Sequence, residues 1–350
     1  MPTKINLFKR KISFNLRKKI VKKYVIIESD DWGLERSKDD ESLQTIINKY
    51  SPEKISRWTT DALETVEDMD LLYDLLDSFK NKFENPPVVT ANFITHNIDY
   101  SSKNKLQFKP ISEGYNFGSS NLFAKYKEGF DKKYFIPQLH GFSHFNNKLI
   151  AQDFHSKNFS EDFAAGFALA QTTIVGNLRL YRGECFDPNF EANFKAATTV
   201  FEKTFGFYSK SFIPPNYLYD DKQNTILRQN HIELLQSSSH YLNENGDNSF
   251  RPFFRKKNKL LNSIRNARLD THPDYNFLAD NCIKQIEAGF LNKMPAIIDV
   301  HRVNFSGTYS PETRQRTIEE LYKVLLYLYN NHPDTIFISS DAFINIIKKF

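Results

Sequence analysis

The chain has 350 residues, 40% hydrophobic and 25% charged, a globular composition long enough for one α/β barrel or two ordinary domains. Its two cysteines, Cys185 and Cys282, lack CxxC spacing, which argues against a disulfide framework or a thiolate zinc site, and no run of about 18 apolar residues offers a transmembrane helix. The net charge of +5 is unevenly placed: residues 1–23 hold nine Lys or Arg and no acid, so the remainder is slightly acidic and a nucleic-acid partner is not expected.

The opening stretch "MPTKINLFKRKISFNLRKKIVKK" is therefore a basic N-terminal extension. Charge interrupts its apolar residues, so no secretory h-region forms and a cytoplasmic location is expected. Ile5, Phe8, Ile12 and Leu16 share a helical face, which allows weak contact with the inner face of a membrane, although "ISFNL" also alternates like a strand.

From residue 24 onward, short apolar runs alternate with longer helical patterns. Strands are predicted at 24–27, 88–94, 134–139, 211–214, 232–236, 295–300 and 335–339, and helices over 59–83, 160–181, 190–206 and 310–331. Strands alternating with helices along a whole chain indicate parallel βα units, and residues 24–350 are read as a single modified (β/α) barrel domain. Two polar stretches interrupt the pattern. Residues 97–121 read as an inserted loop, and residues 240–275 as irregular, with seven bases and no acid between Arg251 and Leu269.

In a parallel barrel the strand tips share one rim, where active sites are built. The first strand runs into "ESDDWG", with Asp30 and Asp31 side by side; the third runs into "HGFSH", with His140 and His144 at i and i+4; the sixth runs into His301 and Arg302. Adjacent acids repel unless a cation sits nearby. Two His and one Asp leave a divalent ion open positions for water and substrate, as catalytic sites require.

These residues resemble the polysaccharide deacetylases (carbohydrate esterase family 4). "SDDWG" matches the family's paired Asp, "HGFSH" its His pair, "FIPPNY" its proline-bearing strand end and "IIDVH" its final His, in the same order over about residues 22–345. The resemblance implies that Asp31, His140 and His144 hold a divalent metal, zinc first, with cobalt, nickel or manganese as alternatives. It further implies Asp30 as general base, His301 as general acid and the Asn216 backbone N–H as an oxyanion donor, acting on acetyl groups of a glycan. Three departures accompany it. Ile213 stands where the family carries an Arg that orients the base. "SSSHY" after the fifth strand lacks the usual acid for the catalytic His. The gap between the first two motifs is long.

Trp32, His96, Arg265, Asn266 and Arg302 are the expected substrate contacts, being rim residues able to stack on or hydrogen-bond a sugar. His272 is read as a loop residue. Two other classes stay open: a metal-dead glycan-binding protein, motivated by Ile213 and the missing acid, and a glycosidase, for which Asp30 and Asp31 are too close in sequence.

Overall fold

The computed structural model describes residues 19–50, 57–59, 61–102, 105–116, 121–153, 183–243, 248–250 and 260–349. Most of the basic extension, the helix predicted over 160–181 and the basic residues 251–259 lie outside the described residues. The folded body begins before residue 24: Ile20 is buried, and its N–H donates to the Lys293 carbonyl at 2.8 Å.

The strands are β1 (Tyr24–Trp32), β2 (Val89–Ile94), the hairpin β3 (His96–Ile98) and β4 (Phe108–Pro110), β5 (Phe135–Gly141), β6 (Ser211–Phe212) and β7 (Leu234–Ser237). After them come the hairpin β8 (His240–Leu242) and β9 (Asn248–Phe250), then β10 (Leu261–Ile264), β11 (Ala267–Arg268), β12 (Ala296–His301) and β13 (Ile336–Phe337). One parallel sheet runs in the order β10-β7-β6-β5-β2-β1-β12-β11, with β13 beside the first residues of β1.

The two ends of that order are one stretch of chain. Between β10 and β11 lie only Arg265 and Asn266. The Arg265 N–H donates to the Ser237 carbonyl on β7 at 2.9 Å, and the Asn266 N–H donates to Ile297 on β12 at 3.1 Å. Successive residues of an extended chain face opposite neighbours, so these two bonds join the sheet's edges and close the modified (β/α) barrel.

Strand periodicity then sorts the interior. Tyr24, Ile26, Leu234, Leu261 and Ile297 form an apolar layer at the strands' N-terminal ends, covered by Phe343, Ile344 and Ile347 of the helix Ser340–Ile347. Further along the same face β1 carries Glu28 and Asp30, and the register sets Glu28 beside Asp299 and Asp30 beside His301. The barrel is apolar at its base and polar toward its rim. Outside it, Val25, Ile27, Leu72, Leu76 and Phe135 belong to the larger core beneath the helices.

Among the described residues six α-helices fall where the sequence reading placed none: Asp40–Lys49, Leu122–Asp131, Asn147–Asp153, Asn224–Gln229, Ala279–Leu291 and Ser340–Ile347. The helix expected over 59–83 is confined to Val66–Asp77 by a capping box between Thr65 and Asp68, since a cap fixes the start more firmly than apolar periodicity does. The stretches read as loop and irregular hold the two hairpins and the barrel-closing strands.

Candidate active site

Strand alternation would send Asp30 into the barrel and Asp31 out of it. The pairing of β1 with β2 shifts register between Ser29 and Trp32, and Asp31 has left-handed backbone (φ 72°). This irregularity brings both carboxylates to the rim. Asp31 Oδ1 lies 3.2 Å from Nε2 of both His140 and His144, while its Oδ2 accepts from Arg36 Nη2 at 2.9 Å. Asp30 faces Arg265 and His301 instead.

The two histidines meet through a turn, not a helix. Their "HGFSH" segment wraps around the buried carboxylate of Glu184, which accepts from the backbone N–H groups of Phe142 (2.8 Å), Ser143 (3.0 Å) and His144 (2.6 Å). Gly141 has φ 134°, and a Cβ there would sit 2.3 Å from Glu184 Oε1, so glycine is required by conformation and by space. Burial pushes the Glu184 pKa up to about 7 against the lowering effect of these three donors. His140 Nδ1 donates to the Ile213 carbonyl, 2.9 Å away; a carbonyl can only accept, so Nδ1 carries the proton and Nε2 is left to bind.

Asp31, His140 and His144 fit a divalent cation. All three are buried, and Asp31 Oδ1 makes no hydrogen bond. Zinc bonded at about 2.1 Å in a tetrahedron separates its ligand atoms by about 3.4 Å, close to the 3.2 Å found from Asp31 to each His. Burial would raise the Asp31 pKa, but Arg36 and His144 hold it well below the usual range. Burial carries the His144 pKa down to about 4, leaving a neutral imidazole. For His140, burial is outweighed by Asp31 and Asp30, and its pKa is raised.

Asp30 is held from two sides. Arg265 donates from Nη2 to Oδ1 and from Nη1 to Oδ2, both at 2.7 Å, and Asn92 Nδ2 donates to Oδ1 at 2.8 Å. Burial opposes ionisation here, yet Arg265 brings the pKa down to about 2. The same Nη1 reaches Asp299 Oδ1 at 2.7 Å, and Arg265 Nε donates to Glu28 at 2.8 Å. His301 stands between the two acids, Nε2 3.9 Å from Asp30 Oδ2 and Nδ1 3.7 Å from Asp299 Oδ1. Its other flank meets the edge of Trp58, ring centroids 5.1 Å apart.

The remaining predicted residues divide. Asn216 is at the turn after β6 in left-handed backbone (φ 56°), with its amide Nδ2 buried and without a partner among the described residues. Burial and pairing already engage four of the residues expected to touch substrate. Trp32 is a core residue, edge-on to Phe135 and bonded to Ser29. Arg302 is fully buried among Asp61, Glu64 and the Leu34 carbonyl. The Asn266 side chain takes the place of a strand neighbour, donating to Pro295 and accepting from Ile297. Arg265 is engaged by Glu28, Asp30 and Asp299. His96 is stacked on Phe142 with centroids 3.8 Å apart, and burial lowers its pKa to about 3.

Sequence reasoning passed over Glu184, Arg36, Asn92 and Asp299. Asp299 alone carried a signal, sitting two residues before His301 and therefore on the same strand face. Glu184 lies 40 residues from the turn it organises, in "RGECF", where nothing local marks it.

No protein-family model and no curated protein matches the sequence. Among solved structures, a 4-alpha-glucanotransferase from Thermococcus litoralis is similar over 94% of this chain at 9% identity and a TM-score of 0.47; the chain spans only 40% of that protein's length. A peptidoglycan N-acetylglucosamine deacetylase is similar over 92% of this chain and 88% of its own, at 12% identity and TM-score 0.44. A CE4 family pseudoenzyme from Bacillus anthracis is similar over 91% of this chain and 64% of its own, at 10% and 0.39.

Proposed function

We propose that this chain is a divergent polysaccharide deacetylase, a metal-dependent hydrolase that removes acetyl groups, N-acetyl foremost, from a glycan. The observation that carries the reading is the pairing of two unlike sites within one rim: Asp31, His140 and His144 converge on one point, while the neighbouring Asp30 is clamped by Arg265 and faces His301.

Asp31, His140 and His144 would hold the ion, zinc being suited to two imidazoles and one carboxylate. When bound, such an ion lowers the pKa of water and polarises the acetyl carbonyl. Asp30, ionised at neutral pH, accepts the proton of the attacking water. His301 Nε2 gives a proton to the departing amine; each transfer contributes roughly 10²–10⁴-fold. The Asn216 N–H lies outside the turn bonds made by Tyr217 and Leu218 and is the donor assigned to the oxyanion.

Arg265 supports this reading by supplying the cation that Ile213 does not, and Asp299 by facing His301 from its own strand. A glycosidase would need two carboxylates free to flank a sugar bond, whereas one is bound by Arg265 and the other turned to the His pair. The metal-free glycan-binding alternative rests on Arg36, a fixed positive charge on the ligand Asp31. Metal analysis of the purified protein, with acetate release from N- and O-acetylated glycans, decides between them. Stoichiometric metal with acetate release supports the enzyme; glycan binding without metal supports the alternative.

A further inference from the structure

The base of the barrel, opposite the candidate site, carries features that the reaction does not use. Among the described residues Val21 is 77% and Leu291 81% exposed, while the other exposed large hydrophobics lie at 38–42%. The two belong to segments far apart in sequence, yet the Ile20 to Lys293 backbone bond of 2.8 Å lays those segments side by side. Lys19, Lys22 and Lys293 surround them, all exposed, and none of the three is in an ion pair among the described residues. Two neighbouring acids are already occupied, Asp334 by Lys23 at 2.8 Å and Glu287 by His332. In the sequence residues 1–18 hold six further Lys or Arg and no acid.

Two aliphatic side chains kept in water cost hydrophobic free energy unless a partner covers them. A soluble polyanion would use the lysines and leave Val21 and Leu291 unexplained. An apolar protein surface would use the aliphatics and leave the lysines desolvated. Both are used at once where short apolar side chains enter the headgroup layer and bases lie against anionic lipid.

We infer that the barrel base, through Val21 and Leu291 ringed by Lys19, Lys22 and Lys293, docks on an anionic bilayer surface. β1 runs from this base to Asp30, so docking leaves the catalytic rim facing the aqueous phase.

Co-sedimentation of the full chain with vesicles of phosphatidylcholine alone, and of phosphatidylcholine mixed with phosphatidylglycerol, tests this. Binding is expected to the mixed vesicles only and to weaken with salt. It should fall about fivefold for each of Lys19→Gln, Lys22→Gln and Lys293→Gln, since a base near an anionic surface is worth roughly 1 kcal/mol. The Val21→Ser/Leu291→Ser variant keeps every charge and should bind roughly tenfold more weakly. Its unfolding temperature, unchanged for exposed positions, shows that it is folded. If that variant binds like the wild type, if neutral vesicles capture as much protein, or if neither vesicle captures any, the base is not a lipid-docking surface.

Discussion

Arg265 holds Asp30 through two parallel hydrogen bonds of 2.7 Å and reaches Asp299 with the same Nη1. This guanidinium belongs to the two-residue junction that closes the barrel, so fold closure, through the backbone, and carboxylate positioning, through the side chain, fall on one residue. Replacing it leaves Glu28, Asp30 and Asp299 without their cation. Arg265→Ala is expected to lose about 3–5 kcal/mol of stability, the cost of uncompensated buried charge. Arg265→Lys keeps the charge but not the fork, and should recover stability more than turnover. Denaturant unfolding and kcat measured on the same two variants check the split; equal recovery of both would show that bidentate geometry is immaterial.

The two neighbouring acids should separate by function. Asp31→Ala, His140→Ala and His144→Ala should lose bound metal and activity together. Asp30→Asn and His301→Ala should keep the metal while kcat falls by roughly 10²–10⁴. Metal content by elemental analysis, beside acetate release, distinguishes the groups, and loss of metal in Asp30→Asn with retention in Asp31→Asn would reverse the assignment.

Glu184 and Gly141 act on the His pair without touching a ligand atom. Glu184→Gln replaces one acceptor oxygen by an amide that donates toward the N–H groups of residues 142–144, so the turn loses part of its support. Metal affinity should fall by roughly 10–100-fold, the usual effect of disturbing a ligand's support. Gly141→Ala should fall at least as far, because the new Cβ meets Glu184. Zinc titration against a competing chelator gives both numbers; wild-type affinity in both variants would free the turn from this role.

What the sequence disclosed and what it hid follow from range. The strand-tip acids and histidines were legible because period-2 runs end in them, and the parallel order because helices separate those runs. Arg265 was noticed as a sugar contact and not as the partner of Asp30, since a base in a run of seven looks exposed until β10 and β11 bury it. The cation beside Asp30 is this arginine, and Asp31 is the acid that meets the His pair. Glu184 and Asn92 were invisible: each meets its partner across at least 40 residues, and neither belongs to a local pattern.

The pH dependence follows from the same contacts. Asp30 has a folded pKa of about 2, below its unfolded value of about 3.9, so its contribution to stability is present above about pH 4 and is lost as pH falls through 2. That contribution is on the order of 2 kcal/mol. Removing Arg265 takes away the largest opposition to burial and moves the pKa of Asp30 upward, so the acid limb of kcat/KM should shift to higher pH in Arg265→Ala. A pH series of unfolding free energies and rates tests both; an acid limb in the same place with and without Arg265 would count against Asp30 as the base.

Asp299 gives the sharpest test of how His301 is prepared. It faces Nδ1 at 3.7 Å while Asp30 faces Nε2 at 3.9 Å, and Nδ1 is buried without a hydrogen bond among the described residues. A carboxylate on the Nδ1 side favours the proton there and stabilises the imidazolium that a general acid must be. Asp299→Asn is nearly isosteric and leaves both Arg265–Asp30 bonds in place, so fold and metal should be retained. The amide no longer stabilises positive charge on His301, and kcat should fall by about 10²-fold, the lower end of general-acid contributions, with KM little changed. Histidine ¹⁵N chemical shifts report the protonation of His301 directly, apart from any turnover. A changed His301 ring-nitrogen shift in Asp299→Asn, with Asp30 still clamped, is the expected result. Unaltered shifts with reduced kcat would instead place the effect of Asp299 on Arg265.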